Sequence, residues 1–188
     1  MSVKVKFAKV KEGAIVPSKR DEDMGFDIYA CFDDDYIKIN YYETKLIPTG
    51  IASACDPEYG FVLRERGSTG SKGIALRAGV IDSGYRNEWF VGLTNTTDKV
   101  IFISKIDAKE IYQREYPEGW HVVEEDGTRR ELTEDEFTQC VTIYPYSKAI
   151  AQALVIPVPK TEVEEIFYEE LQNIKSERGM GALGSSNK

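Results

Sequence analysis

The chain has 188 residues, 41% of them hydrophobic and 30% charged, which is the composition of a soluble globular protein. It contains no apolar run long enough to cross a membrane and lacks the apolar block of a signal peptide, so we expect a cytoplasmic protein without a membrane partner. The formal net charge of −8 argues against general nucleic-acid binding, because an acidic chain repels a phosphate backbone.

The cysteine and histidine content argues against several kinds of catalytic site. Cys31, Cys55 and Cys140 are widely spaced and form no CxxC pair, so we expect free thiols rather than disulfides or zinc ligands. His121 is the single histidine, and its neighbours do not suggest a catalytic base. A nucleophile activated by histidine is therefore not expected.

Short β-strands dominate the predicted structure. Polar and apolar residues alternate over residues 3–7, 36–40 and 60–64, and residues 100–103 and 153–158 are more continuous apolar runs. Proline, glycine and aspartate separate these segments and mark turns. Many short strands with frequent turns predict an all-β sandwich or barrel.

One internal region departs from this β pattern and is more charged than its flanks. Residues 106–114 have helical spacing, and Asp126-Gly127 is a hairpin signal. Thr133, with Glu136 three residues later, predicts a capped helix start. These elements predict a small mixed α/β insertion.

The domain organisation predicted from these patterns is a β core of residues 1–103 and 147–175, interrupted by an insertion at 104–146. The last segment, residues 176–188, is rich in glycine and serine. Such a tail is typical of a disordered terminus. It also carries Arg178 and hydroxyl groups, so folding onto an anionic ligand is the alternative.

The segment GVIDSGYR at residues 79–86 places a carboxylate, Asp82, in a predicted turn. Most such acids only form the turn, but Tyr85 adds a flat face directly after it. Gly79 leaves room for a ligand to approach the backbone. The backbone N–H and C=O groups of such a hairpin can match the edge of a planar ring such as uracil, so the segment is a candidate ring-binding site.

Two further segments suggest anion or metal chemistry. Residues 64–73, RERGSTGSKG, combine small residues, hydroxyls and cations, and their N–H groups could hold a phosphate, although the Walker pattern is not matched. Asp27 is an acidic residue between apolar neighbours. It predicts either a structural hydrogen bond or a metal-linked carboxylate.

These segments resemble, in order and spacing, the five motifs of the trimeric dUTPase family. The resemblance covers most of the chain outside the insertion and includes residues 23–30, 66–69, 79–86, 147–152 and 178–186. It implies a β jelly-roll homotrimer, with each site built from more than one subunit, that cleaves dUTP to dUMP and pyrophosphate. An insertion between motifs 3 and 4 is similar to those of phage-type members, which implies a bacterial or phage-infected host cytoplasm.

The resemblance also implies roles for residues around the nucleoside. Asp82 would deprotonate the attacking water, and Tyr85 would stack under the deoxyribose and exclude a 2′-hydroxyl. Gly79 and Val80 would bind the base through the backbone. Asp27 would contact Mg²⁺ through water while the triphosphate binds the metal directly.

Another set of residues would hold the phosphates. Its members are Arg66, Gly67, Ser68, Gln152, Arg178, Gly184, Ser185 and Ser186. Gly67 stands where serine is usual in motif 2, so the hydroxyl has moved to Ser68.

Motifs 4 and 5 depart from the family pattern. Lys148 and Ala149 replace an acid–arginine pair, which removes an expected salt bridge. Leu183 stands where a phenylalanine usually covers the uracil. Either Leu183 gives the base an aliphatic cover, or an aromatic residue from elsewhere covers it, with Trp89 and Phe90, just after motif 3, as the nearest candidates.

The two alternative functions are dCTP deamination and regulation of a partner protein. The related dCTP deaminases carry a catalytic glutamate shortly after motif 3, whereas residues 90–95 contain no acid here. Some phage-type dUTPases contact other proteins through an insertion, so residues 104–146 predict either an inert surface elaboration or the binding site of a regulatory protein partner.

Overall fold

The structure, a computed structural model, describes residues 2–177. A compact β unit extends to Val158, and the residues from Pro159 onward form a second unit. The sequence predicts a core that ends at residue 175. Residues 156–177 are all exposed, so this segment contributes no buried side chain to a core. The second unit contains one short helix, α4 (Tyr168–Asn173).

Short strands are the main secondary structure of the first unit, which confirms the expected all-β class. In chain order they are β1 (Val5–Lys9), β2 (Phe26–Ile28), β3 (Tyr36–Ile39), β4 (Thr44–Pro48), β5 (Ile51–Cys55), β6 (Tyr59–Arg64), β7 (Ile74–Arg77), β8 (Val80–Ile81), β9 (Phe90–Asn95), β10 (Val100–Ser104), β11 (His121–Val123), β12 (Arg129–Glu131), β13 (Val141–Pro145) and β14 (Ala151–Pro157). They form the sheets β2-β14-β6-β8, β4-β9-β7, β13-β10-β3 and β1-β5, and a separate β11-β12 hairpin. Within residues 2–177, no helix has the length and apolar character needed to span a membrane.

The main core lies between these sheets and is filled by aliphatic and aromatic side chains. Trp89 is fully buried, with its ring centroid 5.7 Å from Phe7 and 5.0 Å from Phe61. Such edge-to-face contacts add to the large apolar area that an indole ring buries. The core therefore fixes β9, which begins at the next residue, Phe90, against β6.

The inserted region folds as its local signals predict. Helix α2 (Ala108–Glu115) begins after Asp107, whose side chain accepts from the N–H of Glu110. Strands β11 and β12 pair as an antiparallel hairpin around the predicted turn. Helix α3 (Glu134–Cys140) starts with the expected capping box of Thr133 and Glu136. These three predictions are confirmed.

A second, smaller core holds the inserted elements on the β body. It consists of the buried residues Phe102, Ile111, Leu132, Phe137 and Val141. Strand β13 pairs in parallel with β10, and Tyr144 on β13 belongs to the main core. The last residues of the predicted insertion, 141–145, are therefore a strand of the core sheet.

Candidate functional site

Three predicted site residues converge where β2, β6 and β14 lie side by side. Gln152 on β14 is opposite Asp27 on β2 and opposite Arg64 on β6. Arg66 follows β6 by two residues. Its Nε lies 3.0 Å from Asp27 Oδ1, and its Nη2 donates to Asp27 Oδ2 at 3.2 Å. The structure thus brings together the predicted phosphate ligands Arg66 and Gln152 with the predicted metal-linked acid.

Residues 64–73, which we call the phosphate loop, turn sharply after Arg66 into the single-turn helix α1 (Gly67–Gly70). Thr69 fixes this turn, since its Oγ1 accepts from the N–H of Arg66 at 3.0 Å and donates to the Arg66 carbonyl at 2.9 Å. Gly67 and Ser68 are exposed at the start of the turn. A Cβ at Gly67 would meet nothing within 4 Å, so the absence of the usual serine has no steric reason.

A polar pocket of about 530 Å³ opens beside this loop. Its lining residues are Asp27, Tyr29, Arg66, Gly67, Ser68, Ser147, Lys148, Ala149 and Gln152. Four of the predicted phosphate-binding residues, from motifs 2 and 4, therefore face one cavity. We call this cavity the phosphate pocket.

Tyr144 does not line the phosphate pocket but contacts two of its lining residues, Ser68 and Ala149, a role that the sequence does not predict. Its hydroxyl donates to the carbonyl of Ala149 at 2.7 Å and lies 3.3 Å from Ser68 Oγ. The ring is 1% exposed, so the hydroxyl requires protein partners. Tyr144 thereby joins the motif 2 loop to the motif 4 turn. An apolar strand containing a tyrosine was the only signal available in the sequence.

The predicted base-binding hairpin forms at the edge of the β2-β14-β6-β8 sheet. Gly79 has a φ of +116°, and its carbonyl accepts from the N–H of Leu63 at 2.7 Å. A Cβ at this position would lie 3.0–3.2 Å from Leu76 and Leu63. The predicted turn is confirmed, because the N–H of Tyr85 donates to the Asp82 carbonyl at 3.1 Å. Asp82 is exposed.

Two residues after this turn hold it on the β body, and sequence analysis assigned no role to either. Arg86 Nη1 donates to the carbonyls of Ser83 at 2.6 Å and Ser53 at 3.2 Å. Glu88 Oε1 accepts from the N–H of Gly50 at 2.7 Å, and the Glu88 carbonyl accepts from the Tyr85 hydroxyl at 3.1 Å. The acceptors are mostly backbone carbonyls, some of them distant in sequence, which no local pattern reveals.

The hairpin and the phosphate pocket lie at opposite ends of β6. Ile81, next to Asp82, is opposite Phe61, whereas Arg66 is five residues further along the chain. At about 3.3 Å per residue, the strand rises roughly 10 Å from Phe61 to its end at Arg64, and Asp82 and Arg66 lie beyond these two points. One chain therefore does not place Asp82 over its own phosphate pocket.

The expectation that Trp89 covers the base was wrong. Its ring is 0% exposed and packs between core aromatic rings, so it presents no face to a ligand. Phe90 is 45% exposed and remains the aromatic candidate beside motif 3. The motif 5 predictions, Arg178, Leu183, Gly184, Ser185 and Ser186, lie outside the described residues.

The carboxylate ligands suit a metal ion that enters bound to the substrate phosphates better than a metal ion that the protein holds permanently. Residues 2–177 contain no cluster of three histidine, cysteine or acidic side chains able to cage an ion. Asp27 is the one carboxylate lining the phosphate pocket, and Arg66 contacts both of its oxygens. Mg²⁺ commonly keeps several waters and binds one or two carboxylates plus substrate phosphates. Asp27 fits that outer role.

Comparisons of sequence identify relatives. A deoxyuridine 5′-triphosphate nucleotidohydrolase of Nautilia profundicola is 28% identical over 99% of this chain and 100% of its own length. The Pol polyprotein of equine infectious anemia virus is 36% identical over 96 residues, which is 47% of this chain. The chain spans only 8% of that polyprotein.

Comparisons of structure agree on the fold. The dUTPase of Staphylococcus bacteriophage 80alpha, solved with dUPNHPP, superposes with a TM-score of 0.66 at 18% identity, covering 98% of this chain and 99% of that one. The native dUTPase of equine infectious anemia virus gives a TM-score of 0.55 at 18% identity, covering 88% and 98%. A family model described as dUTPase matches residues 11–109, which is more than half of the chain. This protein therefore belongs to the dUTPase family.

Proposed function

We propose that this protein hydrolyses dUTP to dUMP and pyrophosphate, in a Mg²⁺-dependent reaction. The observation that supports it most is the presence of two complementary half-sites. One is the phosphate pocket around Arg66 and Gln152. The other is the hairpin that presents Asp82 and Tyr85.

The base is recognised by the backbone of the hairpin. Gly79 directs its carbonyl to Leu63 on β6. Since successive residues of an antiparallel strand point their backbone groups to opposite sides, the N–H and C=O of Val80 point away from β6. Strand β8 is at the edge of its sheet, so these groups are free to pair with the polar edge of uracil.

The sugar and the attacking water lie next to the turn. Tyr85 is 39% exposed, and its hydroxyl is held by the Glu88 carbonyl, so the ring can stack under a deoxyribose and leave no room for a 2′-hydroxyl. Asp82 accepts a proton from the water as its oxygen bonds to the α-phosphorus. The bond from that phosphorus to the β-phosphate oxygen breaks in line, and pyrophosphate leaves.

The phosphates are held by Arg66, Gln152 and the N–H and hydroxyl groups of Gly67 and Ser68. When bound, Mg²⁺ would neutralise developing charge on the phosphate oxygens, with Asp27 as an outer ligand through water. Motif 5 residues, Arg178 with Ser185 and Ser186, would close over the β- and γ-phosphates on the basis of the motif alone.

A homotrimer completes the site in this proposal. Because Asp82 and Arg66 lie beyond opposite ends of a stretch of β6 that is roughly 10 Å long, the hairpin of one subunit would serve the phosphate pocket of another. Closed symmetric assemblies repeat such an interface in every subunit. The test is mass measurement in solution, where a stable monomer with full activity would exclude the proposal.

The reaction is tested by pyrophosphate release from dUTP, UTP, dTTP and dCTP, with and without Mg²⁺. We expect release from dUTP alone, strongly reduced without the metal. Asp82→Asn should abolish turnover while leaving dUTP binding largely intact. Equal rates with UTP, or full turnover by Asp82→Asn, would contradict the roles of Tyr85 and Asp82.

The two alternatives are less well supported. Deamination of dCTP would need an acid after motif 3, and β9 (Phe90–Asn95) supplies none; ammonia release from dCTP is its test. The phage 80alpha relative is described as controlling the transfer of virulence genes. A regulatory partner for the insertion at 104–146 stays a prediction for this chain.

A further inference from the structure

Lys148 lines the phosphate pocket without belonging to any ion pair formed within residues 2–177. It lies in the turn between β13 and β14, where its N–H donates to the Pro145 carbonyl at 3.0 Å. The side chain is exposed to solvent. The ammonium group is thus presented to the pocket with no carboxylate in the described chain to neutralise it.

The charges of the other lining residues show why this cation matters for binding an anionic ligand. The other charged lining residues, Arg66 and Asp27, form an ion pair and cancel each other. A triphosphate entering the pocket carries several negative charges, so this pair alone offers it little net attraction. Lys148 raises the net charge of the lining from zero to +1.

The position of Lys148 is fixed relative to the phosphate loop. The carbonyl of the next residue, Ala149, accepts from the Tyr144 hydroxyl at 2.7 Å and from Arg66 Nη1 at 3.5 Å. The same hydroxyl lies 3.3 Å from Ser68 Oγ. The turn that carries Lys148 is therefore tied to the turn that carries Gly67 and Ser68.

We propose that Lys148 binds the phosphate chain of the substrate, a role that rests on the proposed function. The motif 4 pattern of the family has an acid at this position and arginine at the next one. Here the acid is replaced by Lys148, and position 149 is an alanine that is 2% exposed. The positive charge of the motif has moved by one residue, onto the exposed side chain that faces the pocket.

The test compares wild type with Lys148→Gln, Lys148→Arg and Lys148→Glu. For Lys148→Gln we expect KM for dUTP to rise about ten-fold, the effect of losing one charge-assisted contact at an exposed position. Lys148→Arg should stay close to wild type, because the charge remains. Lys148→Glu restores the acid that is usual in motif 4 of the family. It should nevertheless weaken binding by roughly a hundred-fold, because it removes a positive charge and adds a negative one, and each change weakens binding about ten-fold.

Inorganic tripolyphosphate provides a readout that does not need turnover. Its Kd, measured by calorimetry, should rise in the same order: arginine, glutamine, glutamate. Lys109→Gln on the surface of α2 removes one equivalent charge and should leave both KM and Kd unchanged. Equal behaviour of the glutamine and arginine variants, or an unchanged tripolyphosphate Kd in Lys148→Gln, would overturn the proposal. If wild type hydrolyses no dUTP, the proposed reaction fails, and the tripolyphosphate series still decides the role of Lys148.

Discussion

Arg66 and Asp27 meet through two parallel contacts, Nε to Oδ1 at 3.0 Å and Nη2 to Oδ2 at 3.2 Å. The geometry is the bidentate fork that arginine forms with carboxylates. Both side chains are about one-third exposed, and the remaining nitrogen, Nη1, points to the Ala149 carbonyl at 3.5 Å. The guanidinium is therefore oriented before any phosphate arrives.

This pairing predicts an effect of Asp27→Asn on both stability and binding. Loss of the carboxylate charge should lower the free energy of unfolding by about 1 kcal/mol, measured with urea, because the pair is partly screened by solvent. KM for dUTP should also rise, since Arg66 loses its orientation. Glu134→Gln, which breaks an exposed pair with Lys109 at 3.9 Å, is the control and should change neither quantity. A larger stability loss in the control would contradict this reasoning.

The separation of the two half-sites predicts complementation between inactive variants. Arg66→Ala and Asp82→Asn should each abolish hydrolysis alone. If one subunit supplies the pocket and another the hairpin, trimers assembled from equal amounts of both should regain about a quarter of the sites, because subunits combine at random. Pyrophosphate release after co-refolding measures this recovery.

The matched control mixes Arg66→Ala with Asp27→Ala. Both residues belong to the same pocket, so no subunit in this mixture carries an intact one. Activity in this mixture should not rise above that of the two variants measured separately. Recovery in the control, or none in the Arg66 and Asp82 mixture, would show that the site is not shared as we propose.

Gly79→Ala should damage the hairpin. The φ of +116° is unfavourable for alanine, and the new Cβ would crowd Leu63 and Leu76 at 3.0–3.2 Å. We expect a loss of about 2–4 kcal/mol in unfolding free energy and loss of dUTP binding. Gly84→Ala in the same hairpin has nothing within 4 Å of its Cβ and should be nearly neutral in stability. Similar melting temperatures for the two variants would refute the steric explanation.

Glu115 lies at the end of α2 and contacts β3. We predict that this contact, which attaches the inserted elements to the β body, weakens in acid. Its side chain accepts from the Tyr36 hydroxyl at 2.7 Å and pairs with Lys38. Burial alone would raise the pKa of Glu115, but the hydrogen bonds from Lys38 and Tyr36 hold it below its usual 4.5. Burial, together with the hydrogen bond to Glu115, raises the pKa of Tyr36 to about 12.

Because the pKa of Glu115 is depressed in the folded state, its stabilising effect is present above pH 4.5 and is lost as the pH falls through the lower folded value. Trp120, stacked on Tyr116 at 4.9 Å, reports on this region, and Trp89 on the main core. In the Trp89→Phe background, Trp120 emission should change on acidification before global unfolding. Adding Glu115→Gln should weaken that pH dependence; an unaltered acid transition would argue against Glu115 as its cause.

Local patterns in the sequence predicted the parts of the fold that local interactions determine. The alternation of residues predicted the strands, and Thr133 with Glu136 predicted the start of α3, because a capping box involves only four consecutive positions. The Asp82–Tyr85 turn was found for the same reason. Resemblance added the proposed phosphate ligands, which no single segment predicted on its own.

Contacts between distant residues could not be predicted. The Asp27–Arg66 ion pair joins residues 39 positions apart, and the Tyr144 hydroxyl meets Ser68 across 76 positions. The prediction that Trp89 covers the base was wrong for a related reason. Its place just after motif 3 suggested an aromatic cover for the base, but only its packing against Phe7 and Phe61 shows that the ring faces the core.

Because β10 and β13 pair in parallel, the inserted segment between them is a crossover connection. The register aligns Val100 with Val141 and Ser104 with Pro145, so the chain must travel back about 13 Å along the strands between Ser104 and Val141. Tight turns join only antiparallel neighbours, so a simple excision cannot close the gap. Removal of residues 104–146 would also take away a core strand. Engineering a minimal enzyme therefore calls for a crossover linker in place of residues 105–140 that keeps β13 paired with β10.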